Sequence, residues 1–317
     1  VRMVTVRLKL SALLMGAALF VAGCGVLPES DAGGAPHVDA ELGAREVIRD
    51  QPYAQRDSGS LKLELFLPEE TGSGPAPLVV YIHGGNWEAG TRNLVPPEGE
   101  PPTTEALAAQ RLVNNGYAVA TVDYRFSRIE PAPAQLEDIA EAVRWLQSAA
   151  GEWNVDGQRI ALWGGSAGGQ LATLAGAVAD GSSPIGRLDG IFAVVNWFGP
   201  TDLSAEAERD TEVGQRIRGI VARFLGCAPV DCPDKAEAAS PVKNLSGDEP
   251  PFLIQHGTSD EMVPVEQSLD FASEVRKRGG VAEMHPYAGL GHGFGGGPMR
   301  PRIIDTMGAF LDSHLPA

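Results

Sequence analysis

The sequence predicts an α/β protein, a doubly wound and mostly parallel sheet with helices on both faces and a small helical cap insertion at about residues 200–250. Three observations carry this. Continuous apolar runs at 78–82, 117–122 and 160–163 have no wet side, as strands buried on both faces require. Segments with helical spacing separate them, which is the alternation of a parallel sheet wound by crossovers. The third is Gly164-Gly165-Ser166-Ala167-Gly168-Gly169, a small-residue turn joining the last of those runs to a helix-like segment.

In chain order, Arg2, Arg7 and Lys9 precede a mostly apolar run from 10 to 23 that ends in Val21-Ala22-Gly23-Cys24. Basic, apolar, then small-Cys is the order of an export signal, and the run is short for a membrane span. Residues 25–43 are Pro, Gly, Ala, Ser and acid without an apolar period, and they read as a tether. The catalytic domain is expected from 44 to 317. Leu61 to Leu67 mostly alternates and predicts a strand with one wet face, antiparallel and near the sheet edge. Helices are predicted over 104–114 and over 134–149, where Leu136, Ile139, Val143 and Leu146 recur at helical spacing.

Later strands are expected at 190–195, 251–255 and 281–285. Between 199 and about 250 the alternation stops, and Val213, Ile217, Ile220, Val221, Phe224 and Leu225 form one apolar helix stripe. That insertion reads either as a cap over the site or as a helix packed on the sheet. Cys227 and Cys232 follow it in one loop, close enough to pair in an oxidising compartment. A last helix, over 302–313, is expected to bury Ile303, Ile304, Met307, Phe310 and Leu311.

The net charge of −16 disfavours nucleic acid and anionic membrane surfaces as electrostatic partners, and neutral substrates fit it better. The chemistry gathers at Ser166. A strand, a sharp turn and a helix meeting at one serine push its hydroxyl into the open and aim free N–H groups at whatever it attacks. A serine needs a base, and His292 in the loop Gly289-Leu290-Gly291-His292-Gly293 after the last strand is the candidate. His83, His256 and His285 stand at strand ends, where a structural histidine is expected; His37 lies in the tether and His314 after the last helix. The acid candidate is Asp260, with Glu261 and Asp202 as rivals. Backbone N–H groups of Gly85, Asn86 and Ala167 are expected to form an oxyanion hole, with Trp87 beside it either walling an acyl pocket or serving as core.

His83-Gly84-Gly85, the turn around Ser166, Asp260 and His292 together resemble the α/β-hydrolase fold, in the esterase branch related to hormone-sensitive lipase and to bacterial feruloyl-esterase-like proteins. The resemblance covers most of the chain from about Arg45 and implies a triad in the order Ser166, Asp260, His292. Asn86 departs from it, standing where the lipase-like branch often has a third glycine. It implies a serine carboxylesterase acting on neutral short- to medium-chain, small-molecule esters, with no metal or organic cofactor. The alternatives are a prolyl-oligopeptidase-type peptidase, or a binding protein on the same fold. The segment ending at Cys24 resembles a bacterial lipobox, which implies lipidation of that cysteine and a chain anchored on the extracytoplasmic face of a membrane. The intact mass of the mature protein tests that expectation.

Overall fold

The computed structural model describes residues 41–70, 74–97, 100–205 and 211–315. The expected export segment, Cys24 as the expected lipidation site, and all of the tether up to residue 40 lie outside the described residues. The chain is already packed at Leu42, which is fully buried inside the boundary that composition suggests for the tether.

Eight strands form one sheet in the order β1-β2-β4-β3-β5-β6-β7-β8. They are β1 (Glu46–Arg56), β2 (Gly59–Leu67), β3 (Ala76–Ile82), β4 (Ala118–Val122), β5 (Val155–Gly165), β6 (Ile191–Trp197), β7 (Phe252–Gly257) and β8 (Ala282–Tyr287). β1 and β2 pair antiparallel, β2 pairs antiparallel with β4, and every later pairing is parallel. The helices are α1 (Thr104–Asn114), α2 (Ala134–Ala149), α3 (Ala167–Ala177), α4 (Glu212–Leu225), α5 (Pro233–Ala238), α6 (Val265–Lys277) and α7 (Arg300–His314).

Alternation along the parallel strands divides the core. Val80 and Ile82 of β3, Leu162 of β5 and Ile254 of β7 pack with α2, α3 and α6 on one face. Val79 and Tyr81, Trp163, Val195 and Leu253 pack with α1 and α7 on the other. Both faces are dry because strands of period two present a full apolar set to each side. β2 is antiparallel to both neighbours and one strand in from the edge, as expected, with β1 outside it. The expectation of a wet face is corrected, because Phe66 on that face is fully buried in the α1/α7 cluster.

The insertion after β6 contains α4, whose Ile217, Ile220, Val221, Phe224 and Leu225 are buried. Thr211 caps its start by accepting the Gly214 N–H, and Gly226 ends it in the left-handed conformation. Cys227 and Cys232 are joined in a disulfide just beyond. α7 buries Ile303, Met307, Phe310 and Leu311, while Ile304 is only partly covered. Among the described residues no helix is long and apolar enough to cross a membrane.

Candidate active site

The site sits where β5 turns into α3. Ser166 holds φ 55° and ψ −122°, a strained conformation that its neighbours enforce. A Cβ at Gly168 would lie 2.0 Å from the Ile82 carbonyl oxygen, and one at Gly164 would lie 2.3 Å from that of Gly168. Since the opposing atoms are backbone, only glycine lets β3, β5 and α3 come this close. The Ser166 N–H donates to the Trp197 carbonyl at 2.9 Å, tying the turn to β6.

Three sequence-predicted side chains converge here. The Ser166 hydroxyl donates to His292 Nε2 at 2.9 Å, and His292 Nδ1 donates to Asp260 Oδ2 at 2.7 Å. These contacts span 126 and 32 residues of chain. The ring of Phe198 meets the His292 imidazole edge-on at 4.8 Å. Asp260 Oδ1 accepts the N–H groups of Met262 and Val263, each at 2.9 Å. The rival acids are placed elsewhere. Asp202 accepts from Ser204 and Ala205 and pairs with Lys243 at 3.3 Å, and Glu261 is exposed.

Burial opposes the charge of Asp260, but hydrogen bonds from His256 and His292, the charge of His292 and the Val263 N–H outweigh it. The carboxyl is therefore held well below its ordinary value of 3.8. Because the folded-state value lies below the unfolded one, ionised Asp260 contributes stability at neutral pH, and that contribution is lost as pH falls from the ordinary carboxylate range through the folded value. Urea melts from about pH 5 to about pH 2 are expected to show the wild type losing stability more steeply than Asp260→Asn, which lacks this titration. Parallel slopes would contradict the assignment.

The turn after β3 faces the serine. Asn86 and Trp87 both adopt left-handed backbone, with φ of 58° and 59°. Asparagine tolerates that region better than most side chains, so it fits where a third glycine is otherwise expected. No acceptor among the described residues takes the N–H of Gly85, Asn86 or Ala167. These are the groups the sequence picks for an oxyanion hole, and they border the cavities that open on Ser166. His83 lies beneath the turn, stacked on Tyr124 at 4.3 Å, and burial pushes its imidazole pKa down. His285 lies 3.6 Å from Glu283 on β8, and His314 packs on Phe310.

Two recesses meet at the serine. One, of about 20 Å³, is apolar and runs under α4 between Trp87, Leu203, Ile217, Ile220 and Val221. Trp87 is fixed there, stacked on Phe224 at 4.2 Å and donating from Nε1 to Gln170 at 2.9 Å. The other, of about 260 Å³, is open and includes Tyr81, Glu105, Phe198, Met262 and His292. Burial raises the pKa of the Glu105 carboxyl, and burial likewise raises that of the Tyr81 phenol in the same recess. Phe198, Met262 and Glu105 are absent from the sequence reading. The position of Phe198 just past β6, on the carboxyl edge of the sheet, is the signal that marks it. Among the described residues no cluster of His, Cys, Asp and Glu could hold a metal ion.

A parallel sheet with an antiparallel edge, a strained serine at the β5–α3 turn and a histidine after the last strand define the α/β-hydrolase class. Within it, the family model BD-FAE matches residues 63–275, and the chain belongs to that family. It is 28% identical over 267 residues to esterase LipC of Mycobacterium tuberculosis, covering 82% of this chain and 63% of the relative. It is likewise 28% identical to the probable carboxylic ester hydrolase LipM of that organism, covering 66% of this chain and 47% of LipM. The chain thus spans less than two thirds of the length of these relatives. Among solved structures, the thermophilic esterase Est2 of the planctomycete Thermogutta terrifontis with propionate bound superposes with a TM-score of 0.68 at 26% identity, over 86% of this chain and 95% of Est2. A truncated carbohydrate esterase from gut microbiota shares the fold, with a TM-score of 0.71 at 24% identity, over 89% of this chain and 100% of the other.

Proposed function

We propose that the chain is a serine carboxylesterase that hydrolyses neutral esters of short acyl groups through an acyl-enzyme. The observation that carries this reading is the unbroken line of hydrogen bonds from Ser166 Oγ through His292 to Asp260. Ser166 Oγ attacks the ester carbonyl carbon while His292 Nε2 takes its proton, and the carbonyl electrons move to oxygen. That oxyanion accepts hydrogen bonds from the N–H groups of Gly85, Asn86 and Ala167. Collapse breaks the bond to the alcohol oxygen, to which His292 returns the proton. Water then repeats the sequence on the acyl-enzyme and releases the acid. Asp260 orients His292 and stabilises the imidazolium without taking the proton.

The slot under α4 supports the acyl side of the reading. The slot is far smaller than the open recess, about 20 Å³ against about 260 Å³, which favours a short acyl tail there unless α4 gives way. The open recess beside His292 is left for the alcohol. Propionate bound to Est2, a relative in fold and sequence, agrees in size. Hydrolysis of p-nitrophenyl esters from acetate to decanoate tests this, with acetate or propionate expected to give the highest kcat/KM. Ile220→Ala removes one wall of the slot and is expected to improve hexanoate relative to acetate by about tenfold, the scale of one or two methylenes in an apolar pocket. An unchanged profile would remove α4 from acyl selection, and absence of turnover on every ester would shift weight to a peptidase or a binding role.

A further inference from the structure

His256 is fully buried at the end of β7, where its sequence position suggests a structural histidine. Its contacts are more specific than that. Nε2 lies 3.2 Å from Asp260 Oδ2 and 3.0 Å from the Val263 carbonyl oxygen, and Nδ1 lies 2.7 Å from the Ser268 hydroxyl on α6. An ionised carboxylate and a carbonyl can only accept, so Nε2 carries a proton shared between them. In the neutral ring Nδ1 then accepts, and Ser268 donates to it. The partners fix the tautomer. Asp260 Oδ2 is consequently the common acceptor of two imidazoles, His256 at 3.2 Å and His292 at 2.7 Å, while Oδ1 is held by backbone N–H groups.

We propose that His256 is a positioning residue of the reaction, extending the hydrogen-bonded line to Ser268–His256–Asp260–His292–Ser166 and setting both the aim and the basicity of the Asp260 oxygen that faces His292. The inference rests on the triad reading given above. With the His256 donor in place, part of the Oδ2 electron density is committed away from His292. The imidazolium is therefore held in place without being over-stabilised, and it releases its proton to the leaving alcohol. The carboxylate cannot rotate, because each oxygen has donors from a different direction. Among the described residues, the titratable groups in contact with this cluster are Asp260 from the loop after β7 and His292 from the loop after β8, with Glu105 at the start of α1 interacting electrostatically with His292.

The test compares His256→Leu, which fills the space without a donor, with His256→Gln, whose amide nitrogen can reach where Nε2 stood. kcat, KM and the pH profile of kcat/KM on p-nitrophenyl acetate are measured for the full chain, with Ser166→Ala alongside. His256→Leu is expected to lose about tenfold or more in kcat, the scale of a small misplacement of a reacting group, with KM within about twofold. Its acid limb is expected to move to higher pH, because an Asp260 freed of His256 holds the His292 proton more tightly. His256→Gln is expected to restore most of kcat and return the limb. Should His256→Leu fail to fold, imidazole nitrogen shifts of the wild type decide instead, with the Nε2–H tautomer expected for His256. A folded His256→Leu with wild-type kcat and acid limb, a loss with an unmoved limb that His256→Gln does not rescue, or the Nδ1–H tautomer would each overturn the proposal. Wild-type turnover that survives Ser166→Ala would instead overturn the triad reading, and this inference with it.

Discussion

His292→Ala is expected to lower kcat on p-nitrophenyl acetate by about 10⁴-fold or more while the protein stays folded. The imidazole is the only group hydrogen-bonded to Ser166 Oγ among the described residues, and without it the hydroxyl proton has nowhere to go. The fold should tolerate the change because the ring lies at the mouth of the site, 19% exposed, with Phe198 against one side. Losing it leaves Asp260 still satisfied by His256 and two backbone N–H groups. Steady-state kinetics with a far-UV and near-UV comparison checks both halves. A folded variant that keeps more than about a tenth of the wild-type kcat would mean that another base serves Ser166.

The second large effect is on stability. Asp138 on α2 is fully buried and receives Arg125 Nε and Nη2, each at 2.8 Å, the Arg125 N–H at 2.9 Å, and Arg56 Nη2 at 2.8 Å. One carboxylate thus ties β1, the loop after β4 and α2 together. Arg125 is itself only 8% exposed, and its side-chain hydrogen bond to Asp138 raises the guanidinium pKa further despite burial. Asp138→Ala leaves that charge in the interior with the Ala134 carbonyl oxygen and, at the rim, Glu130 and Glu137 as its remaining partners. Breaking one side of such a pair is expected to cost about 3–5 kcal/mol. For a domain of this size that lowers Tm by about 5–9 °C. A thermal melt checks it, and a shift below about 2 °C would show that the network contributes little.

How far the sequence discloses this molecule depends on the distance over which its information acts. β3, β4 and β5 are legible because strands buried on both faces must be apolar throughout, and the residues that ensure this are adjacent in the chain. β1 is not. Its Glu46-Val47-Ile48-Arg49-Asp50 start carries no alternation, and an edge strand with bulges in its register has no need of one. Ser166, Asp260 and His292 are legible because each follows a strand on the carboxyl edge, so topology brings them together without any knowledge of packing. The burial of Asp138 is hidden, since a charged residue reads as solvated until two arginines from distant segments enclose it. Trp87 illustrates the same limit. Its two readings are reconciled only by seeing it stacked on Phe224 of α4, where it is core on one side and slot wall on the other. The partnership of His256 with Asp260 also needs three dimensions, because the four-residue spacing fixes neither ring orientation nor tautomer.

Whether Ser166 is the nucleophile of an ester hydrolase is decided by p-nitrophenyl acetate turnover of the full chain beside its Ser166→Ala variant. Steady hydrolysis by the wild type is expected, with an acetyl adduct on Ser166 trapped at early times, and a loss of about 10⁴-fold or more in the variant. Equal turnover by the two proteins, or an adduct on another residue, would contradict it.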